Sequence, residues 1–246
     1  MVGLVSSLVL SALMIGKEPC GTPCNQIKTL YLGEEKYSLN KPSNDEERKL
    51  YVPQAGDLVF FRDDIFFWKL TYRMAFTGPP YHVAVVIQQP DGEYQLLESG
   101  PNDTMHVEIC PLQCRFQSWK GDIWVRRRAT PLTPEQSKSL TEFAHQQKGK
   151  RYALLRLGAQ LTVLRTRGPV RTYFVGAPHG ERDSYICAEC VLESLTKAGV
   201  LDGKNVRPSA TYPQDMFWDR SYNRFLNHHF HLSPEWRPPQ YLTLGD

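Results

Sequence analysis

From about residue 53 onward the chain carries apolar runs of strand and helix length, separated by turn residues. Leu58-Val59-Phe60-Phe61 follows the turn Ala55-Gly56-Asp57 and reads as a strand. Asp63 can cap a short helix with Phe66, Phe67, Leu70 and Met74 as its apolar face, ended by Thr77-Gly78-Pro79-Pro80. Tyr81 to Ile87 is an almost continuous apolar strand that includes His82 near its start. Pro90-Asp91-Gly92 turns the chain, Tyr94 to Glu98 returns as a strand, and Ser99-Gly100-Pro101 breaks it. Met105 to Cys110 and Ile123 to Arg128 are two further strand candidates. These runs predict a small, largely antiparallel sheet in the middle of the chain.

Helical spacing takes over afterwards. Thr133-Pro134-Glu135-Gln136 has a cap, a first-turn proline and a glutamine three residues after the cap. The helix it opens runs to about Lys148, with Leu140, Phe143 and Ala144 on its apolar face. A second helix begins at Cys187, with Val191 and Leu195 following at steps of four and Gly199 as a stop. Between them, residues 165 to 182 form a long loop with Arg165, Arg167, Arg171, His179 and Arg182. It reads either as a lid or substrate wall or as a solvated basic loop. Residues 17 to 52 are polar, with the charged run Asp45-Glu46-Glu47-Arg48-Lys49, and read as a tether. Residues 53 to 215 are the expected domain, and residues 216 to 246 an aromatic, proline- and histidine-rich tail.

Composition narrows the function classes. An apolar content of 41% suits a packed core, and a net charge of +3 is too small to imply a nucleic-acid partner. Leu4 to Ile15 is too short an apolar run for a membrane span and about right for a signal-peptide core. No Lys or Arg precedes it and no clear Ala-x-Ala site follows, which count against a signal; its length and apolarity still favour export through residues 1 to 16 as a signal or an uncleaved anchor, with a buried N-terminal helix as the alternative. The six cysteines fall into the pairs Cys20/Cys24, Cys110/Cys114 and Cys187/Cys190. Export permits disulfides, and the spacings are not those of zinc fingers or ribbons, so no metal is expected.

Cys187 carries the sharpest chemistry. A thiol in a first helical turn faces unpaired N–H groups and the positive end of the helix dipole, which favours the nucleophilic thiolate. Its alternative is a small buried core residue. A cysteine nucleophile needs a base and a group to orient that base. His82, at a strand start, is the best-placed base; His106 is a second candidate, and His228, His229 and His231 read as surface. Pairing around Asp91-Gly92 sets Glu98 roughly across from His82, where a carboxylate can hold the other imidazole nitrogen.

Six segments in order carry a family resemblance: Gly56-Asp57-Leu58-Val59-Phe60, His82-Val83-Ala84-Val85-Val86, Leu97-Glu98-Ser99, Trp119 ahead of Val125-Arg126, Gly149-Lys150-Arg151-Tyr152, and Tyr185-Ile186-Cys187-Ala188-Glu189. Together they resemble the permuted papain-like cysteine hydrolases of the NlpC-type superfamily, in the YiiX/YebB-like branch, over about residues 53 to 215. The resemblance implies an α+β, circularly permuted papain-like fold in which a small antiparallel sheet packs on the helix bearing the nucleophile. It implies Cys187 as nucleophile, His82 as base and Glu98 as orienting residue, with no cofactor. Tyr152, Arg171, Arg182 and Tyr185 are the expected substrate contacts. The implied reaction is hydrolysis of an amide such as a cell-wall peptide; a lipid acyl ester and a ligand-binding module without catalysis are the alternatives. Phe66-Phe67-Trp68 and the apolar N-terminus suit a membrane-surface location. The chain departs from the branch at Ala188, where a serine is usual, and at Cys190, where an apolar residue is usual.

Overall fold

A computed structural model describes residues 27–43, 47–63, 66–100, 105–168, 171–220 and 231–245. The expectations for residues 1 to 16, for Cys20 and Cys24 and for His228 and His229 lie outside those residues, as do the side chains of Phe66-Phe67-Trp68.

The frame is a curled eight-stranded sheet in the order β2-β1-β10-β7-β3-β4-β5-β6. Its strands are β1 (Leu30–Leu32), β2 (Lys49–Leu50), β3 (Leu58–Arg62), β4 (His82–Gln88), β5 (Tyr94–Ser99), β6 (Val107–Pro111), β7 (Asp122–Arg126) and β10 (Gln240–Leu244). Every neighbouring pair is antiparallel. The predicted strands recur within two residues of their expected ends. The sheet also extends beyond residues 53–215: β1 and β2 precede them, and β10 lies between β1 and β7. Arg126 secures that C-terminal stretch. Its guanidinium is fully buried and donates to the carbonyls of Met216 at 2.6 Å, Arg237 at 2.9 Å and Trp236 at 3.2 Å.

The apolar runs of β3 and β4 are continuous because both faces of the sheet are covered. Leu58, Phe60, Val83, Val85 and Ile87 face one core with the helices α3 (Pro134–Gln147) and α6 (Cys187–Lys197). Val59, Phe61, Ala84 and Val86 face the other, with Leu112 and Phe116 of α2 (Leu112–Ser118). The cap of α3 is as expected: Thr133 Oγ1 accepts from Gln136 N–H, and Gln136 Oε1 accepts from Thr133 N–H. Three shorter helices complete the α elements that position the site: α1 (Phe66–Met74), α4 (Leu154–Ala159) and α5 (Arg171–Phe174). Helix α1 qualifies an expectation: Leu70 and Met74 of its apolar face are 46% and 54% exposed, and among its described side chains the buried one is Tyr72. A two-stranded parallel pair, β8 (Arg151–Tyr152) with β9 (Ser184–Tyr185), leads into α6.

The turn before β3 is built on one buried carboxyl. Asp57 accepts from Arg128 N–H at 2.8 Å, Tyr51 Oη at 3.0 Å and Gln54 N–H at 3.3 Å. Burial outweighs these donors and raises its pKa to about 6. An acid whose pKa is raised on folding binds more protons in the native state, so its contribution is largest in acid and is lost as pH rises through the raised value. The stability of the wild type relative to Asp57→Asn should therefore fall by roughly 2 kcal/mol between pH 4 and pH 6.5 and change little above. Denaturant melts at a series of pH values measure this; a pH-independent difference contradicts it.

Candidate functional site

Glu98 is the last residue but one of β5 and has no exposed surface. The β4–β5 register pairs Val85 with Leu97, which places Glu98 diagonally from His82 on the same face of the sheet. His82 Nε2 lies 3.0 Å from Glu98 Oε2. The same oxygen accepts from Arg115 Nε at 3.2 Å and Nη2 at 3.1 Å. With Nε2–H donating to the Glu98 carboxylate, Nδ1 is the basic nitrogen of the neutral His82 ring. Phe61 packs against that ring with centroids 5.5 Å apart. Arg115 lies over Phe61 and Trp119, at 5.7 Å and 5.3 Å from the ring centres.

Arg115 was not among the predicted residues. Its signal was present, because Leu112, Arg115 and Phe116 fall on one face of a short helix, and these are the residues α2 buries. Cys110 and Cys114, which flank that helix start, are both disulfide-bonded. The Cys110 sulfur lies 3.5 Å from Glu98 Oε1, as a contact rather than a hydrogen bond, because a disulfide sulfur has no proton to give.

Cys187 opens α6, as expected, and is a free thiol, as is Cys190. Helix α6 packs on β4, and Cys187 lies in the core beside Val83, the residue after His82. The segment that delivers it is pinned from two sides: Tyr185 O accepts from Ser99 Oγ at 2.9 Å and from Ala153 N–H at 2.9 Å. Ser99 follows Glu98 directly, so one hydrogen bond couples the carboxylate strand to the thiol segment. At the helix start, Glu189 Oε2 accepts from Ile186 N–H at 3.0 Å and from Arg156 Nη2 at 2.7 Å.

The expectation of a low thiol pKa is corrected. Cys187 has no exposed surface, and that burial pushes its thiol up to about 12. The N–H groups of Val83, Ala188 and Cys187 itself favour the thiolate but are outweighed. The resting state is a thiol, and no hydrogen bond joins it directly to His82.

Of the four expected substrate contacts, Tyr152 lies by the thiol. It is buried, its pKa is raised chiefly by that burial, and its hydroxyl has no hydrogen-bond partner among the described residues. Tyr72 of α1 also senses Cys187, and its hydroxyl donates to Tyr81 O at 2.5 Å. The other three are placed by structure rather than by a pocket. Tyr185 is fully buried and donates to Gln147 Oε1 at 2.9 Å. Arg182 binds Ser209 Oγ at 3.0 Å and lies 3.5 Å from Glu193. Arg171 donates to the carbonyls of Arg165 and Leu164 on the surface. The basic loop is thus partly internal: Arg167 grips Asp215 at 2.6 Å and 2.7 Å, and Glu193 accepts from the backbone of His179 and Gly180. Among the described residues no group of three or more His, Cys, Asp or Glu side chains could hold a metal ion.

No protein-family model matches the chain, and no curated protein matches it. A solved structure to which it is similar is metalloprotein yiiX from Escherichia coli O157:H7, at 17% sequence identity and a TM-score of 0.43, covering 80% of this chain and 98% of that one. The roles of the residues here rest on their own geometry.

Two outcomes follow from this arrangement. Arg115→Met strands a buried carboxylate and should lower stability by about 3–5 kcal/mol, whereas Glu98→Leu with Arg115→Met should recover much of the loss. Denaturant melts decide it; an Arg115→Met chain of unchanged stability contradicts the pairing. Iodoacetamide labelling of Cys187 in the resting chain should still be rising above pH 9, because the thiol titrates near 12. A labelling midpoint below pH 8 contradicts that.

Proposed function

We propose that the chain is a cysteine hydrolase that transfers an acyl group from an amide to water, with Cys187, His82 and Glu98 as a triad on a permuted papain-like frame. The observation that carries this reading is the buried His82–Glu98 contact at 3.0 Å at the strand start against which Cys187 packs.

The burial of Cys187 favours general-base activation over a standing ion pair. His82 Nδ1 takes the thiol proton as Sγ bonds to the substrate carbonyl carbon. The carbonyl oxygen becomes an oxyanion, which the first N–H groups of α6 can hold because they have no partner within the helix. The Tyr152 hydroxyl, buried beside the thiol, is the second donor. Collapse breaks the carbon–nitrogen bond, and Nδ1 returns its proton to the leaving amine. Water then gives a proton to Nδ1 and its oxygen to the thioester carbon, which releases the acid; the sulfur recovers the proton. Glu98 keeps Nε2 protonated throughout, and Arg115 keeps Glu98 in place.

A lipid acyl ester is the second reading of the same chemistry, favoured by exposed apolar side chains on α1 and α4. Disulfide bonding at Cys110 and Cys114 supports an oxidising, exported location.

The test offers peptide amides and p-nitrophenyl acyl esters to the full chain and maps acyl adducts by mass spectrometry. The adduct should sit on Cys187. His82→Ala should slow turnover about 10²–10⁴-fold, and Tyr152→Phe about 10²-fold with little change in KM. Turnover that survives Cys187→Ser, or an adduct on another residue, removes the reading.

A further inference from the structure

The elements beside Cys187 turn a distinctive face outward. Tyr72 of α1 and Tyr152, which precedes α4, both sense the thiol. The outer sides of those elements, with the segment after α4 and the helix α5, carry most of the exposed large apolar side chains among the described residues. Leu155 is 92% exposed, Val163 90% and Phe174 79%; Met74, Phe76 and Leu164 are exposed as well. α4 buries none of its residues. The pieces form one surface. The Arg165 guanidinium lies over Phe76 at 5.1 Å, Arg171 donates to Leu164 O and Arg165 O, and Leu157 of α4 packs on Tyr72 and Tyr81.

The charge on this face is mainly positive; Asp63 and Asp64 come just before α1 in the sequence. Between Ile65 and Pro90, and again between Phe143 and Gly180, the sequence holds no aspartate or glutamate. Arg156 and Arg167 are committed inward, to Glu189 and Asp215. Arg73, Arg165 and Arg171 form no ion pair among the described residues. An apolar surface on which unpaired arginines stand is complementary to a lipid bilayer with anionic headgroups: side chains enter the acyl boundary and guanidinium groups meet phosphates.

We propose that the α1–α4–α5 face docks on an anionic lipid bilayer and so holds the Cys187 site at the membrane boundary. This inference stands whether or not Cys187 is a nucleophile, and its test uses the full chain carrying Cys187→Ala. That chain should sediment with phosphatidylcholine vesicles containing phosphatidylglycerol and weakly with phosphatidylcholine alone. Adding Leu155→Asp, Val163→Asp and Phe174→Asp should abolish sedimentation, and Arg165→Gln with Arg171→Gln should weaken it about tenfold or more. In a Val163→Trp chain the new indole should be quenched by brominated lipid. Sedimentation unchanged by the three aspartates assigns binding to residues outside this face and overturns the proposal. An indole untouched by brominated lipid overturns it too. So does a solution dimer that ignores vesicles and that the aspartates split, since the face is then an interface between copies of the chain.

Discussion

A carboxylate with no exposed surface sits at the centre of this molecule, and the surrounding geometry answers to it. Glu98 must be paired to be buried, because an isolated charge in the interior is costly. Its partners come from different elements: Arg115 from a helix that follows β6, and His82 from the start of β4. A one-residue slip in the β4–β5 register would turn Glu98 to the opposite face and leave both partners behind. The hairpin register, the placement of α2 and the entry into β4 are therefore coupled through one oxygen atom.

The same coupling reaches the thiol. Ser99, next to Glu98, donates to the carbonyl of Tyr185, which Ala153 also holds, and Cys187 lies two residues beyond. The carboxylate strand, β8 and the start of α6 are thus locked together. The lock has a consequence for reactivity. By packing Cys187 into the core, it removes the water that a thiolate needs, and the first-turn N–H groups do not compensate. A chain built this way keeps its sulfur neutral until a base removes the proton.

Charge is sorted with equal consistency. Buried arginines are spent on carboxylates and carbonyls, as Arg115, Arg126 and Arg167 show. Arg73, Arg165 and Arg171 on the α1–α4–α5 face pair with no carboxylate among the described residues, and they stand among apolar side chains that the core does not cover. The interior and this face thus use the same residue type for opposite purposes: internal closure and external contact.

The sequence by itself determined what depends on near neighbours. The continuous apolar runs at Leu58–Phe61 and Val83–Ile87 marked strands. Thr133-Pro134-Glu135-Gln136 marked a helix start, and the length of the hairpin around Asp91-Gly92 brought Glu98 near His82. Each follows from spacing within about sixteen residues. Tertiary structure decided the rest, because the partners lie far apart along the chain. Nothing near Gln240–Leu244 says that it lies between β1 and β7, since its pairing joins Leu244 to Leu30. Periodicity gave α1 an apolar face, but only packing decides whether such a face is covered, and Leu70 and Met74 are not. First-turn geometry favours a thiolate at Cys187, yet burial in a core shared with Val83 and Tyr152 reverses that preference, because desolvation is a property of the assembled surroundings and not of the local helix.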